Sequence, residues 1–331
     1  MQKLLFIGTG GTIASELSGN ALGPSLTADR LLSHVPQVAD FAKVEAVQPF
    51  ALDSTDMTPA HWLRIARIIT ESYENYDGFV VAHGTDTLAY TAAALSYLIQ
   101  NSKKPVILTG AQRPIGFEST DSKQNLLDSF RCAAAGLPGV LVVFGGQVIL
   151  GARARKIRTK SFDAFASPNY PCPAKVEDGR LTVYFRPTLG RTRFFDTLDT
   201  SVGLLKLTPG MDAGLLHDMI SRYHALVIEG FGVGGLPDAD GAFRREVSAA
   251  CRAGKPVVLT TQVQSEGTDL SVYRVGSDLR ALGVWEAYDM TPEACFTKLM
   301  WLLPQSRNFT RRQKLFYTPV FHDLLPAVSK I

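Results

Sequence analysis

Short apolar runs rich in β-branched residues alternate with longer stretches of helical character along most of the chain. In the first half the apolar runs predict strands at residues 3–8, 44–50, 78–82, 105–109 and 140–144. The stretches between them predict helices at residues 27–35, 59–75, 87–100 and 120–135. Strands that are apolar on both faces and separated by helices are typical of a parallel sheet covered on both sides.

The second half repeats this alternation after a polar, turn-rich interval, with strands predicted at residues 225–229 and 256–260 and helices at 212–223, 241–253 and 291–303. A chain of 331 residues exceeds the size at which a single hydrophobic core stops growing, so we expect two domains. The predicted fold class is α/β, with a larger N-terminal domain built on a doubly wound, mainly parallel sheet and a second, smaller α/β domain. Their predicted bounds are residues 1–185 and 209–331, joined by an inter-domain linker over residues 186–208.

Composition limits the classes of partner. The net charge of +3 is too small to indicate a nucleic acid or a membrane surface. The longest clean apolar runs are strand-sized, far too short to span a bilayer, and the first residues lead into a predicted strand without a signal-peptide pattern. We therefore expect a cytoplasmic protein whose four widely spaced cysteines are free thiols.

Four predicted strands end in segments rich in glycine, hydroxyl and carboxylate residues, at residues 8–14, 53–57, 83–87 and 109–114. In open parallel sheets, ligands bind at the carboxyl ends of the strands, near the point where the strand order reverses. The sequence therefore predicts that the functional site lies along this edge of the sheet.

The glycine-rich segment at residues 8–12 allows two interpretations. As a phosphate loop it fails the dinucleotide pattern at Ile13, and the Gly-Lys-Ser/Thr of a Walker loop occurs nowhere in the chain, so nucleotide binding is weakly supported. A tight strand-to-helix turn would use the same glycines for backbone geometry, with threonine as a cap. This segment alone leaves a structural turn and a ligand site both open.

The segment at residues 83–87 is more informative. One hydroxyl there could cap the following helix, but Thr-Asp-Thr after Gly84 at the rim of a sheet exceeds what a cap requires. The glycine lets a ligand approach the backbone, whose amides can stabilise developing negative charge. His83 adjoins the predicted strand, and we expect it to be structural.

A basic stretch at residues 151–160 contains one lysine in a distinctive position. The stretch is typical of a solvated edge or a nucleic-acid patch. If it is extended, Lys156 shares one face with two alanines, and Arg153 and Arg155 lie on the opposite, solvated face. Burial would lower the pKa of the lysine from about 10.4 and let it act as a base toward a hydroxyl.

Taken in order, these segments resemble the signatures of the bacterial-type L-asparaginases, and of their cytoplasmic type I branch in particular. The resemblance rests on residues 9–14, 83–87 and 108–114, and it extends to residues 162–169 and 230–234. It implies hydrolysis of L-asparagine to L-aspartate and ammonia, with minor activity on L-glutamine, and neither metal nor cofactor. It also implies a homo-oligomer, a dimer or tetramer, in which a neighbouring subunit closes each active site.

The resemblance also implies roles for individual residues. Thr12 corresponds to the threonine nucleophile, which forms an acyl-enzyme intermediate. Thr85, Asp86 and Lys156 correspond to a second catalytic group, in which lysine and aspartate support a threonine hydroxyl. The residues that correspond to the substrate-binding set are Gly11, Asp53, Ser54, Thr55, Gly84 and Ala111.

One position departs from the family pattern. The family places a tyrosine in the loop after the first threonine, where it helps to activate that residue, whereas residues 15–26 contain no tyrosine here. The resemblance therefore does not identify the group that activates Thr12. Gly19 and Gly23 are still predicted to be hinges of a lid over the site.

Two other functions are compatible with the same scaffold. One is the amidase subunit of a tRNA-dependent amidotransferase, but those chains carry an additional leading domain, and eleven residues precede Thr12 here. The other is a non-catalytic sensor of amino acids, since a fold alone does not establish activity. A sensor would not need Lys156, so this lysine together with Thr12, Thr85 and Asp86 favours an enzyme.

Overall fold

The structure is a computed structural model that describes residues 1–18, 21–237 and 240–325. The chain divides into two compact units, Met1–Asp196 and Thr197–Ile331. The boundary falls inside the interval predicted as a linker, residues 186–208. That interval holds regular structure, because Arg193–Phe194 pairs within the first unit and Val202–Lys206 is a strand of the second.

The first unit contains every strand and helix that the pattern predicted for it, with ends that differ by a few residues. Its strands are β1 (Gln2–Gly8), β2 (Ser15–Ser18), β3 (Ala21–Pro24), β4 (Ala42–Val47), β5 (Gly78–Ala82), β6 (Ile99–Gln100), β7 (Pro105–Thr109), β8 (Gly139–Phe144), β9 (Gln147–Leu150), β10 (Arg155–Lys156), β11 (Phe165–Ala166), β12 (Ala174–Glu177), β13 (Arg180–Val183) and β14 (Arg193–Phe194). Its α-helices are α1 (Ala28–Ser33), α2 (Pro59–Ser72), α3 (Leu88–Leu98) and α4 (Ser122–Ala134).

The main sheet of this unit has the order β13-β12-β9-β8-β7-β5-β1-β4. Strands β4, β1, β5, β7 and β8 are parallel, and β9, β12 and β13 extend one edge in antiparallel fashion. The chain runs from β1 to β4 on one side and then returns past β1 to β5 on the other. The strand order therefore reverses between β1 and β5, which creates a crevice between the loops that follow them.

Burial explains why these strands could be recognised. All residues of β5, β7 and β8 are buried, as are the last five of β1. A strand covered on both faces has no solvent-facing positions, so its sequence is an unbroken apolar run.

The second unit is a smaller parallel sheet with the order β15-β16-β17-β18. Its elements are β15 (Val202–Lys206), α5 (Ala213–Arg222), β16 (Ala225–Gly230), α6 (Ala242–Arg252), β17 (Val257–Thr261), α7 (Arg274–Ala281), β18 (Trp285–Glu286), α8 (Pro292–Leu302) and α9 (Phe309–Tyr317). Aliphatic side chains such as Leu226, Ile228, Val247 and Leu259 form its core. The predicted fold class, a larger doubly wound α/β domain with a smaller α/β domain, is confirmed.

Two further properties bear on the expectations from composition. Within the described ranges, no helix combines the length and the apolar character needed to cross a bilayer. The four cysteines are free thiols. Burial raises the pKa of Cys132 to about 12 and that of Cys251 to about 11, so the reactive thiolate form of these two is disfavoured.

Candidate active site

Glycines bring the loops after β1, β4 and β5 into direct contact. Gly11 has a φ of 76°, which favours glycine, and a Cβ on it would lie 2.3 Å from the Gly84 Cα. A Cβ on Gly84 would lie 2.7 Å from the side chain of Ser54. The three loops therefore meet at a junction, Gly11–Gly84–Ser54, where side chains larger than hydrogen do not fit on the two glycines.

Thr12 stands beside this glycine junction. It begins the short 3-10 turn Thr12–Ala14, whose other two residues, Ile13 and Ala14, are buried and anchor the turn. The Thr12 side chain is only half-buried. The turn thus holds the predicted nucleophile next to the contact between Gly11 and Gly84.

Lys156 contacts two of the other predicted catalytic residues. Its Nζ donates to Thr85 Oγ1 at 2.8 Å and to Asp86 Oδ1 at 2.7 Å. The Lys156 side chain is 16% exposed and that of Asp86 is 59% exposed, while Thr85 is buried. The fold therefore brings Lys156 into contact with Thr85 and Asp86, which precede it by about 70 residues in the sequence.

Gln112 is a residue of this cluster that the motifs did not predict. Thr85 Oγ1 donates to Gln112 Oε1 at 3.2 Å, and Gln112 Nε2 donates to the carbonyl oxygen of Ser161 at 3.2 Å. The Thr85 hydroxyl is thus held by Lys156 on one side and by Gln112 on the other. The signals in the sequence are that Gln112 directly follows Ala111 and lies within residues 108–114, on which the family resemblance rests.

A buried carboxylate fixes the loop after β7. The Asp121 side chain accepts the backbone N–H of Gln112 at 3.0 Å and that of Arg113 at 3.1 Å. It also accepts a bond from Asn125 Nδ2 at 3.1 Å. Ala111, one of the predicted substrate-binding residues, is fully buried at the start of this fixed loop.

The loop after β4 contains the predicted residues Asp53, Ser54 and Thr55. Asp53 Oδ1 accepts both the N–H of Thr55 at 2.9 Å and its hydroxyl at 2.8 Å. Ser54 is buried, and its Oγ accepts the N–H of Asp86 at 3.2 Å. Ser54 and Asp86 therefore tie this loop to the one after β5, and the Thr55 hydroxyl braces Asp53.

The predicted environment of the basic stretch is partly wrong. Arg153, expected on a solvated face, is fully buried, and its guanidinium carbon lies 4.9 Å from the centre of the Tyr170 ring. The reason is that Gly151–Arg153 forms a 3-10 turn, so the two-residue alternation of an extended strand does not apply there. Extended structure begins only at Arg155.

The segment predicted as a lid contains a β-hairpin formed by β2 and β3. Gly23 pairs with Glu16 inside this hairpin, so it is a strand residue here. Gly19, the other predicted hinge, lies outside the described residues. The backbone N–H groups of Ser25 and Leu26 both donate to the carbonyl oxygen of Ala14, which attaches the end of the hairpin to the turn that begins at Thr12.

Two family models match the chain. Residues 3–189 match the model described as "Asparaginase, N-terminal", and residues 201–316 match "Glutaminase/Asparaginase C-terminal domain". The two matches follow the division into two units.

Characterised relatives cover almost the whole chain. The L-asparaginase of Thermococcus kodakarensis is 40% identical over 316 residues, which are 95% of this chain and 96% of the relative. The solved structure of the thermostable L-asparaginase from that organism has a TM-score of 0.93 at 38% identity and covers 98% of this chain and 100% of that one. L-asparaginase 1 of Escherichia coli is 37% identical over 329 residues, 96% of each chain.

The chain is also similar to a subunit of an amidotransferase. One subunit of the glutamyl-tRNA(Gln) amidotransferase of Pyrococcus furiosus is 35% identical over 343 residues, covering 98% of this chain and 77% of the relative. The similarity to L-asparaginase 1 agrees with the type I branch that the motifs indicated. On the two family models and these relatives, the chain belongs to the asparaginase family of amidohydrolases.

Proposed function

We propose that this enzyme hydrolyses L-asparagine to L-aspartate and ammonia, with minor activity on L-glutamine. The observation that carries the proposal is the hydrogen-bonded cluster of Thr85, Asp86 and Lys156. Thr85 and Asp86 belong to the loop that contacts Gly11, next to Thr12. The names of the T. kodakarensis and E. coli relatives support the choice of substrate.

In the first step of this proposal, Thr12 Oγ1 attacks the carbon of the side-chain amide. A C–O bond forms, the C–N bond breaks, and the nitrogen leaves as ammonia after taking up the hydroxyl proton of Thr12. The product is an ester between Thr12 and the β-carboxyl group of aspartate. Water then cleaves this acyl-enzyme, which releases aspartate and restores the Thr12 hydroxyl.

The amide oxygen becomes negatively charged during both steps and requires fixed N–H donors. The backbone N–H groups of Thr85 and Ala111 are suited to this role. Neither donates to a protein acceptor within the described ranges. The loop of Ala111 is fixed by Asp121, and that of Thr85 is fixed by Ser54.

The second group acts when water attacks the ester. Thr85 Oγ1, positioned by Lys156 and Gln112, would orient the water, and Lys156 with Asp86 would relay its proton. Asp53 and Asp86 are exposed carboxylates that suit the α-ammonium group of the substrate. The hydroxyl of Ser54 suits its α-carboxylate.

The exposed carboxylates also support the proposal that a neighbouring subunit covers the site in a dimer or tetramer. Residues 15–26 contain no tyrosine that could activate Thr12. A neighbouring subunit that covers the site is one source of the missing group.

Release of ammonia from L-asparagine and L-glutamine by the purified chain tests the proposed reaction. We expect turnover of L-asparagine without RNA or a second protein, near-complete loss in Thr12→Ala, and partial retention in Thr12→Ser, which keeps a hydroxyl. Tight binding of asparagine without ammonia release would support a sensor instead. Turnover that appears only with a tRNA-binding partner protein would support the amidotransferase role, which the 35% identity to the P. furiosus amidotransferase chain keeps as a second candidate.

A further inference from the structure

A chain of three buried side chains runs beneath the loop after β5. Trp62 on α2 donates from Nε1 to Thr91 Oγ1 on α3 at 2.9 Å. Thr91 Oγ1 lies 2.9 Å from His83 Nε2, and His83 Nδ1 lies 2.7 Å from the carbonyl oxygen of Gly84. His83 and Thr91 are fully buried, and Trp62 is 5% exposed.

Only one arrangement of protons allows all three hydrogen bonds to form. A carbonyl oxygen can only accept, so the bond to Gly84 requires a proton on His83 Nδ1. Burial lowers the pKa of His83 to about 4, so the ring is neutral near pH 7 and its Nε2 must accept. The Thr91 hydroxyl therefore donates to His83 and accepts from Trp62.

This row of hydrogen bonds ends on a peptide group of the candidate active site, the one that joins Gly84 to Thr85. The peptide bonds of the described chain are trans, and a trans peptide is planar, so fixing the Gly84 carbonyl also fixes the direction of the Thr85 N–H on its opposite side. Gly84 lacks a Cβ to restrict its own rotation. The hydrogen bond from His83 therefore supplies a restraint that the glycine cannot.

We infer that His83, oriented by Thr91 and Trp62, is a positioning residue. It holds the Gly84–Thr85 peptide so that the Thr85 N–H points at the substrate carbonyl. This inference rests on the proposed amide hydrolysis. It extends the structural role that the sequence predicted for His83, because the ring acts on catalysis through Gly84 without touching the substrate.

The comparison of Thr91→Val with Thr91→Ser tests this inference. Valine matches threonine in shape but removes the donor to His83 Nε2, so the imidazole loses one of its two hydrogen bonds and can rotate out of line with the Gly84 carbonyl. Serine retains the hydroxyl and is the matched control. We expect Thr91→Val to lower kcat by about 10- to 100-fold with KM changed less than about 3-fold, because a catalytic donor loses its alignment. Thr91→Ser should stay within about 3-fold of the wild type, since it keeps the hydrogen bond.

A second pair of variants acts on the histidine itself. Asparagine places an amide donor near the position of Nδ1, so His83→Asn should retain more kcat than His83→Leu, which has no donor. This pair decides the matter if Thr91→Val does not fold, as judged by circular dichroism. Equal kcat values within each folded pair would overturn the inference.

Nitrogen NMR of histidine-labelled protein reads the imidazole tautomer without turnover, with His83→Asn assigning the signal. We expect a proton on Nδ1 in the wild type and in Thr91→Ser, and a changed Nε2 signal in Thr91→Val, where this nitrogen no longer accepts a hydrogen bond. A wild-type ring with its proton on Nε2 would contradict the inference. If the wild type released no ammonia, the proposed function would fail on its own, and the tautomer would still decide whether the hydrogen-bond chain exists.

Discussion

Burial of His83 predicts a specific dependence of stability on pH. The pKa of His83 falls from 6.5 to about 4 on folding, chiefly because burial disfavours the charged ring. Between these two values the unfolded chain binds a proton that the folded chain rejects. The free energy of unfolding that His83 contributes is therefore fully present above pH 6.5 and is lost as the pH falls toward 4.

The size of the effect follows from the two pKa values. The contribution of His83 to the free energy of unfolding should fall by about 2 kcal/mol between pH 7 and pH 5, and by about 3 kcal/mol by pH 4. His83 is fully buried, so solvent does not screen this penalty.

Urea unfolding at several pH values from 7 to 5 measures this contribution when the wild type is compared with His83→Asn. Asparagine does not titrate in this range, and every other ionisable group is common to both proteins, so the difference in slope isolates His83. We expect the wild type to lose about 2 kcal/mol relative to the variant across the range. Parallel lines for the two proteins would refute the burial argument, and with it the requirement that Nε2 accept from Thr91.

Two further predictions concern the cluster and the glycine junction. Thr85→Val and Lys156→Met should each lower kcat by roughly 100-fold or more with the thermal midpoint little changed, as expected when a general acid–base group is removed; near-normal kcat in both would sink the role of the second threonine. Gly11→Ala should destabilise the protein more than Gly136→Ala, by about 1–3 kcal/mol in urea unfolding, because both glycines have positive φ but only Gly11 would place its Cβ against backbone, 2.3 Å from the Gly84 Cα. Equal losses would mean that the loops separate easily at the junction.

The parts of the fold that could be predicted are those in which burial leaves a mark on local sequence. The strands β5 and β7 are buried throughout, and the pattern located both with their observed bounds. The strand β15 lies in the predicted linker. Its pattern is weak because it has only five residues, one of them an exposed lysine, and because it adjoins turn-rich sequence. Helix α9 could not be predicted, because it has one buried residue, Phe316, and four basic or amide side chains in the middle.

The candidate site divides in the same way. Gly84, Thr85 and Asp86 follow one strand, so their meeting with the loop after β1 could be expected from the parallel sheet alone. The contact of Lys156 with Thr85 could not be derived from its own segment, since the extended conformation assumed there fails at Arg153. The role of Gln112 could not be predicted, because its contacts depend on the conformation that Asp121 gives to the loop.

The position of the polar groups explains why a buried histidine is useful to this site. The two carboxylates on the outer side, Asp53 and Asp86, are exposed, so water competes there for the hydrogen bonds that they accept from Thr55 and Lys156. The two glycines at the junction give close contact between loops but restrain no backbone torsion by themselves. The bond from Asp86 N–H to Ser54 is therefore supplemented by a restraint from below the loops, where water cannot compete for hydrogen bonds. A neutral imidazole bonded on both nitrogens meets this need, because any rotation of the Gly84 peptide would leave a buried donor unpaired at a cost of about 1–3 kcal/mol.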